Sequence, residues 1–142
     1  LFKNGVKPMW EDPVNAAGGR WIITLRDRGR TAGSRLVHEA LLDRSWMWLV
    51  LALIGETLDD NDLVTGAVCS LRGKGDRIAI WTRRKEPIDE LNAMGEKLLD
   101  VLNLQHEPSV QMEFSFNFGS KDKPHLYTKK SMAGLASTAP SA

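Results

Sequence analysis

Apolar and polar positions alternate along some stretches of this chain and recur at helical spacing along others. Over residues 20–25, Trp21, Ile23 and Leu25 fall on one face of a strand that Gly18 and Gly19 release. Residues 66–72 and 76–82 read as the arms of a hairpin around Gly73-Lys74-Gly75. In that hairpin Ala67, Cys69, Leu71, Ile78 and Ile80 share one side, while Val68, Ser70, Arg72, Arg77, Ala79 and Trp81 share the other. A further strand follows Pro108 over 110–116, and a short one is expected at 126–128. Helical spacing predicts a long helix over 35–54, stopped by Gly55. A second helix opens at Pro87 and runs to about Leu102, its apolar face made by Ile88, Leu91, Met94, Leu98 and Val101. Residues 1–17 and the basic stretch 27–34 read as loops.

One side of the hairpin is thus apolar enough to seat both helices. The other presents Arg72, Arg77 and Trp81 to a ligand or to water. The expected class is α+β, an antiparallel sheet with helices on one side and an open face on the other.

A length of 142 residues is enough for one domain with a real core. We expect it to span 1–130, with the small, polar segment 131–142 as a flexible tail. The net charge of +1 excludes coating of nucleic acid through bulk electrostatics, so any RNA recognition must be local. The single cysteine, Cys69, rules out an internal disulfide and fits a reducing compartment; its alternation with Ala67 and Leu71 assigns it to the core. No signal peptide is read at the start, and the longest apolar run, 46–54, is too short to span a bilayer, so no membrane is expected. Glu56, Asp59, Asp60 and Asp62 lack the glycine and distal glutamate of a calcium loop and read as an exposed acidic turn. His38, His106 and His125 are scattered, with no nucleophile pattern beside them. Neither a catalytic residue nor a metal ligand is expected, and the protein is read as a binder and not an enzyme.

The run Pro8-Met9-Trp10-Glu11-Asp12-Pro13 carries the sharpest chemistry. A carboxylate beside an indole can read guanine: the acid accepts from the N1 and N2 hydrogens while the ring stacks on the base. A guanine methylated at N7 is cationic, and stacking then gains a cation–π contribution of roughly 2 kcal/mol when desolvated. Arg77 stands four residues before Trp81, about 13 Å along a strand, where it can meet a phosphate chain.

These segments resemble the cap-binding translation initiation factor 4E family. Leu1-Phe2-Lys3-Asn4-Gly5, Pro8-Met9-Trp10-Glu11-Asp12, Gly18-Gly19-Arg20-Trp21, Leu53-Ile54-Gly55-Glu56 and Lys74-Gly75-Asp76-Arg77-Ile78-Ala79-Ile80-Trp81 stand in the family's order. The resemblance covers about residues 1–127 and weakens after Leu104. It implies a curved antiparallel sheet with helices packed on the convex face and the 7-methylguanosine triphosphate cap of mRNA bound on the concave face, with no further cofactor. Trp10 would be one of two stacking tryptophans, Glu11 the guanine reader and Trp81 the neighbour of the N7-methyl group. Arg72 and Arg77 would hold the phosphates, with Lys74 nearby. Arg77 replaces the family's usual lysine, keeping the charge and adding fork geometry.

The chain departs from the family's pattern in three ways. The family's N-terminal segment, with the other stacking tryptophan, is expected to precede Leu1. The loop after Arg26 is longer than in typical members, and Trp48 stands where the family usually has an acid. Trp21 and Trp46 are assigned to core. Helix segment 46–54 is apolar all round, and Met47, Leu51 and Ile54 at i, i+4 and i+7 would make an outward stripe. With Trp48, this stripe is the expected docking surface for an initiation scaffold or a 4E-binding repressor, which the resemblance implies approaches as an amphipathic helix. The expected function is cap binding linked to a scaffold in translation initiation, by a monomer in the cytoplasm with a nuclear pool as an alternative. The rivals are a cap-binding repressor homologue that does not recruit the scaffold, and a truncated form keeping only partner binding. Lys121, Asp122 and Lys123 read as a polar loop on the solvated surface.

Overall fold

The computed structural model describes residues 1–26, 29, 31–58 and 62–117. Seven elements follow in order: α1 (Pro13–Ala16), β1 (Gly19–Leu25), α2 (Ala32–Ile54), β2 (Val64–Ser70), β3 (Asp76–Thr82), α3 (Ile88–Val101) and β4 (Val110–Phe116). The strands form one curved antiparallel sheet in the order β2-β3-β1-β4. The expected strand 126–128, the polar loop 121–123, the tail and Asp59 and Asp60 lie outside the described residues.

Alternation decides the faces. Trp21, Ile23 and Leu25 of β1 lie opposite Ile80, Ile78 and Asp76 of β3 and opposite Phe114, Met112 and Val110 of β4. The apolar members of this set are buried, and α2 and α3 pack over them with Leu42, Leu49, Leu91, Met94 and Leu98. Trp21 anchors the layer: its Nε1 donates to the Leu91 carbonyl at 3.1 Å, and its ring meets Phe114 edge-on at 5.2 Å. A buried indole needs such a partner for its one polar atom. The α+β expectation therefore holds, with the apolar side of the sheet under both helices.

Several boundaries differ from the periodicity, each for a local reason. Helix α2 starts at Ala32 and not at Arg35, because the Thr31 hydroxyl accepts from the Ser34 amide and caps the first turn. Strand β2 ends at Ser70, so Arg72 lies in the turn and not on the strand, and Leu71 is 76% exposed and not core. In α3 the acids Asp89 and Glu90 of the first turn suit the helix N-terminus, but Ile88, expected on the apolar face, is exposed. Trp46 is half-buried against the core.

Candidate ligand-binding face and outer helix stripe

The open face of the sheet is built from three rows of paired residues. Gly66, Trp81, Arg20 and Ser115 form the first; Val68, Ala79, Ile22 and Glu113 the second; Ser70, Arg77, Thr24 and Gln111 the third. Arg20 and Trp81 therefore stand side by side across β1 and β3, and Arg77 lies two rows further along. The face also carries Glu113, a carboxylate beyond the Glu11 singled out in the sequence.

Trp81 lies on this face as the alternation predicts, but it is only 6% exposed and not open to solvent. The Phe2 ring meets it edge-on at 5.5 Å, and the Arg20 guanidinium sits 5.1 Å from its ring centroid. Phe2 can come so close because β2 offers Gly66 beneath it: a Cβ there would lie 2.4 Å from the Phe2 ring. Among the described residues, Trp81 Nε1 and Arg20 Nε are both buried without a hydrogen-bond partner. Burial lowers the pKa of Arg20 from its ordinary value, and the charges of Arg77 and then Arg72 lower it further. Burial is the main cause, and the two neighbouring guanidiniums add to it. Its place beside Trp81 adds Arg20 to the residues read from sequence.

The loop bearing Trp10 and Glu11 hangs at the end of the face where Arg20 and Trp81 lie. Its shape is set by Asn15, which is fully buried. The Asn15 side-chain amide donates to the carbonyls of Lys7 and Met9, each at 3.0 Å, and its oxygen accepts from the Thr65 hydroxyl of β2 at 2.7 Å. Asp12 accepts from the amides of Lys7 and Val14 at 3.0 and 2.9 Å, capping α1. These two backbone bonds hold the Asp12 carboxyl below its ordinary value. Trp10 is 44% exposed and Glu11 is exposed, so an aromatic plate and a carboxylate stand out together from a braced loop.

Arg72 and Lys74, both exposed, sit at the opposite end, on the turn joining β2 to β3. Gly75 adopts φ +138 there, a conformation that favours glycine. The face therefore brings Arg20, Arg77 and Trp81 together on strands, with Trp10 and Glu11 at one end and Arg72 and Lys74 at the other.

On α2, Met47, Leu51 and Ile54 are 53%, 60% and 68% exposed and form the expected outward stripe. Trp48 does not join it. One residue on from Met47, it turns toward the core and is half-buried, with the Arg44 guanidinium 4.8 Å from its ring centroid. A cavity of about 360 Å³ lies between the N-terminal segment, the end of α2 and β2, lined in part by Phe2, Leu53, Ile54 and Val64. Among the described residues no cluster of His, Cys, Asp and Glu could hold a metal ion. Asp62 of the acidic turn is instead paired with Lys3 and Arg83. Among the same residues no helix is long and apolar enough to cross a membrane.

The family profile of eukaryotic initiation factor 4E matches residues 1–132. Eukaryotic translation initiation factor 4E-1A of Danio rerio is 48% identical over 130 residues, covering 91% of this chain and 56% of the relative. The human eukaryotic translation initiation factor 4E is 45% identical over 130 residues, with 91% and 55% covered. The chain thus spans about half the length of these curated relatives. Among solved structures, Ascaris suum eIF4E-3 in complex with the m2,2,7G cap is similar with a TM-score of 0.72 and 35% identity, over 89% of this chain and 66% of that one. Caenorhabditis elegans eIF4E-3 in complex with the 4E-binding protein Mextli gives 0.71 and 32%, over 88% and 66%.

Proposed function

This chain belongs to the eukaryotic initiation factor 4E family, and from that premise we propose that it binds the 7-methylguanosine 5′ cap of mRNA on its open sheet face. Trp10 stacks on the methylated base and Glu11 accepts from its N1 and N2 hydrogens. Trp81 stands toward the N7-methyl group. Arg20, Arg72 and Arg77 meet the phosphates, with Lys74 beside them. The observation that carries this reading is geometric: the Arg20 guanidinium lies 5.1 Å from the Trp81 ring centroid, Arg77 stands two rows along the same face, and a braced loop presents an exposed indole beside a carboxylate. A stacked cation and a phosphate chain would satisfy both ends at once. The relative from Ascaris, solved with a methylated cap, supports it.

The outward stripe Met47, Leu51 and Ile54 is proposed to receive an amphipathic helix of an initiation scaffold or of a 4E-binding repressor. The relative from Caenorhabditis, solved with a 4E-binding protein, supports a partner of that kind. The protein then acts as a binder in translation initiation, working as a monomer in the cytoplasm and performing no chemistry of its own.

Retention on immobilised 7-methylguanosine triphosphate, with and without a scaffold peptide, tests both halves. The expected result is retention that free methylated cap competes away and free GTP does not, with peptide co-retained until Met47→Asp removes it. Retention without any co-retained peptide would mark a cap-binding repressor homologue. Equal competition by GTP would overturn the cap reading, and peptide capture without any retention would leave a partner-binding protein alone.

A further inference from the structure

Arg72 and Lys74 stand on a turn beyond the end of β2, and both are exposed. Such an arm needs something to aim it. Its own backbone supplies one bond across the turn, from the Gly75 amide to the Arg72 carbonyl at 3.2 Å. The other comes from Asp76, the first residue of β3. One carboxylate oxygen of Asp76 accepts from the Arg72 amide at 2.8 Å. The second lies 2.8 Å from His38 Nε2, where a carboxylate can only accept and the imidazole donates. Both oxygens are thus engaged, one by the turn and one by helix α2.

The pair is also set apart by its surroundings. The His38 and Asp76 side chains are 11% and 16% exposed, whereas the arm they brace is open to solvent. His38 belongs to α2, whose outer side carries Met47, Leu51 and Ile54. Cys69 of β2 and Asp43 of α2 are the neighbouring ionisable groups: burial, then the charges of Asp76 and Asp43, push the Cys69 thiol up. Asp76 places a carboxylate against the backbone of the turn that carries Arg72. On charge alone it would oppose an anion, so any help it gives to phosphate binding must be geometric.

We propose that Asp76, held by His38, is a positioning residue that aims Arg72 and its turn at the cap's phosphate chain and ties that turn to helix α2. The proposal rests on the cap-binding function proposed for the open face. It adds a residue pair that touches no ligand but decides how well the phosphate arm is ordered before the ligand arrives.

The test is titration of the chain with 7-methylguanosine triphosphate and with the bare 7-methylguanosine nucleoside, at one salt concentration. Asp76→Ala, His38→Ala and His38→Gln are compared, with thermal melts as a check on folding. Asp76→Ala is expected to weaken the triphosphate roughly threefold to fivefold while the nucleoside stays within about twofold, the size of an ordering cost on one side chain. His38→Ala should give a smaller loss of the same kind, and His38→Gln, whose amide can still donate, should recover part of it. If Asp76→Ala fails to fold, the two His38 variants decide the question alone. A tighter triphosphate complex in Asp76→Ala would mean that charge outweighs aim, and would overturn the proposal. Equal losses for triphosphate and nucleoside would overturn it too, by assigning the pair to general stability. A wild-type chain that prefers the triphosphate no more than the nucleoside would overturn the phosphate reading itself, a failure visible before any variant is made.

Discussion

Two segments carry the chemistry of the open face, and they are held in opposite ways. The loop with Trp10 and Glu11 is nailed down from inside: fully buried Asn15 bonds Lys7, Met9 and Thr65, and Asp12 bonds Lys7 and Val14. The turn with Arg72 and Lys74 is exposed and depends on Asp76 and one backbone bond. The difference matches what each is proposed to recognise. Guanine is read by a flat stack and directional acceptors, which fail when misaligned by a fraction of an ångström. A phosphate chain is read by charge, which falls off slowly with distance and tolerates a pliable donor. Rigidity is placed where direction matters.

The contrast breaks first at Asn15. Asn15→Ala removes one of the two bonds at each of the Lys7 and Met9 carbonyls and leaves the Thr65 hydroxyl without its acceptor, so stability should fall by about 3 kcal/mol, at the upper end of what a lost buried hydrogen-bonding group costs. Urea denaturation measures it. A change under about 0.5 kcal/mol would mean that the loop is braced elsewhere, since that is the usual size of a neutral surface substitution. Glu11→Ala should come next, with folding intact. Discrimination of methylated guanine against methylated adenine should drop by about 2 kcal/mol, roughly thirtyfold, because charge-assisted acceptors are lost. Selectivity within twofold of the original would remove Glu11 from the guanine site.

How far the sequence carried this picture depends on how local each feature is. The faces of β1 and β3 followed from alternation alone, and the stripe Met47, Leu51 and Ile54 from helical spacing. The end of β2 was misread because Leu71 and Arg72 continue the alternation, while the ladder stops where the Arg72 amide turns to Asp76. The burial of Trp81 depends on Phe2, far away in the chain, which no local pattern could report. Trp48 sits in a helix apolar on every side, so its direction had no phase to read until the core was assembled. Arg20 was within reach, since it shares the strand parity of the open face, yet its place beside Trp81 required the β1–β3 register. Asn15 left a fainter trace, a polar residue just past Pro13 in a run of small residues.

The two anchoring modes should also separate among the arginines. Arg20 is half-buried against Trp81, whereas Arg72 is exposed. Arg20→Ala should therefore cost about 1–2 kcal/mol in triphosphate affinity, combining a phosphate contact with the lost cation–π contact. Arg72→Ala should cost under about 1 kcal/mol, as befits a screened surface charge. Both should flatten the dependence of affinity on salt by about one phosphate contact. Isothermal titration at several salt concentrations gives both quantities. A larger loss for Arg72 than for Arg20 would reverse the order of the comparison.

The smallest effect is expected in acid, and it again singles out the braced loop. The Asp12 carboxyl is held below its ordinary value of 3.8, first by the Lys7 amide and then by the Val14 amide. A depressed carboxyl stabilises the fold above the ordinary value and loses that contribution as pH falls through the lowered one. The loop should therefore hold its shape down to about pH 4 and loosen below it, the Lys7 and Val14 amides shifting together as their common acceptor is protonated. Asp62, lowered by its hydrogen bond and charge contact with Lys3 and then by Arg83, should lose its contribution over a similar range, but through that separate pair of cations. Amide chemical shifts followed through an acid titration separate the two, because only the Asp12 transition reports at Lys7 and Val14. In Asp12→Asn that transition should vanish while the one belonging to Asp62 remains. If the Lys7 and Val14 amides still titrate in Asp12→Asn, the loop owes its acid sensitivity to another group, and Asp12 acts there only as a neutral cap on α1.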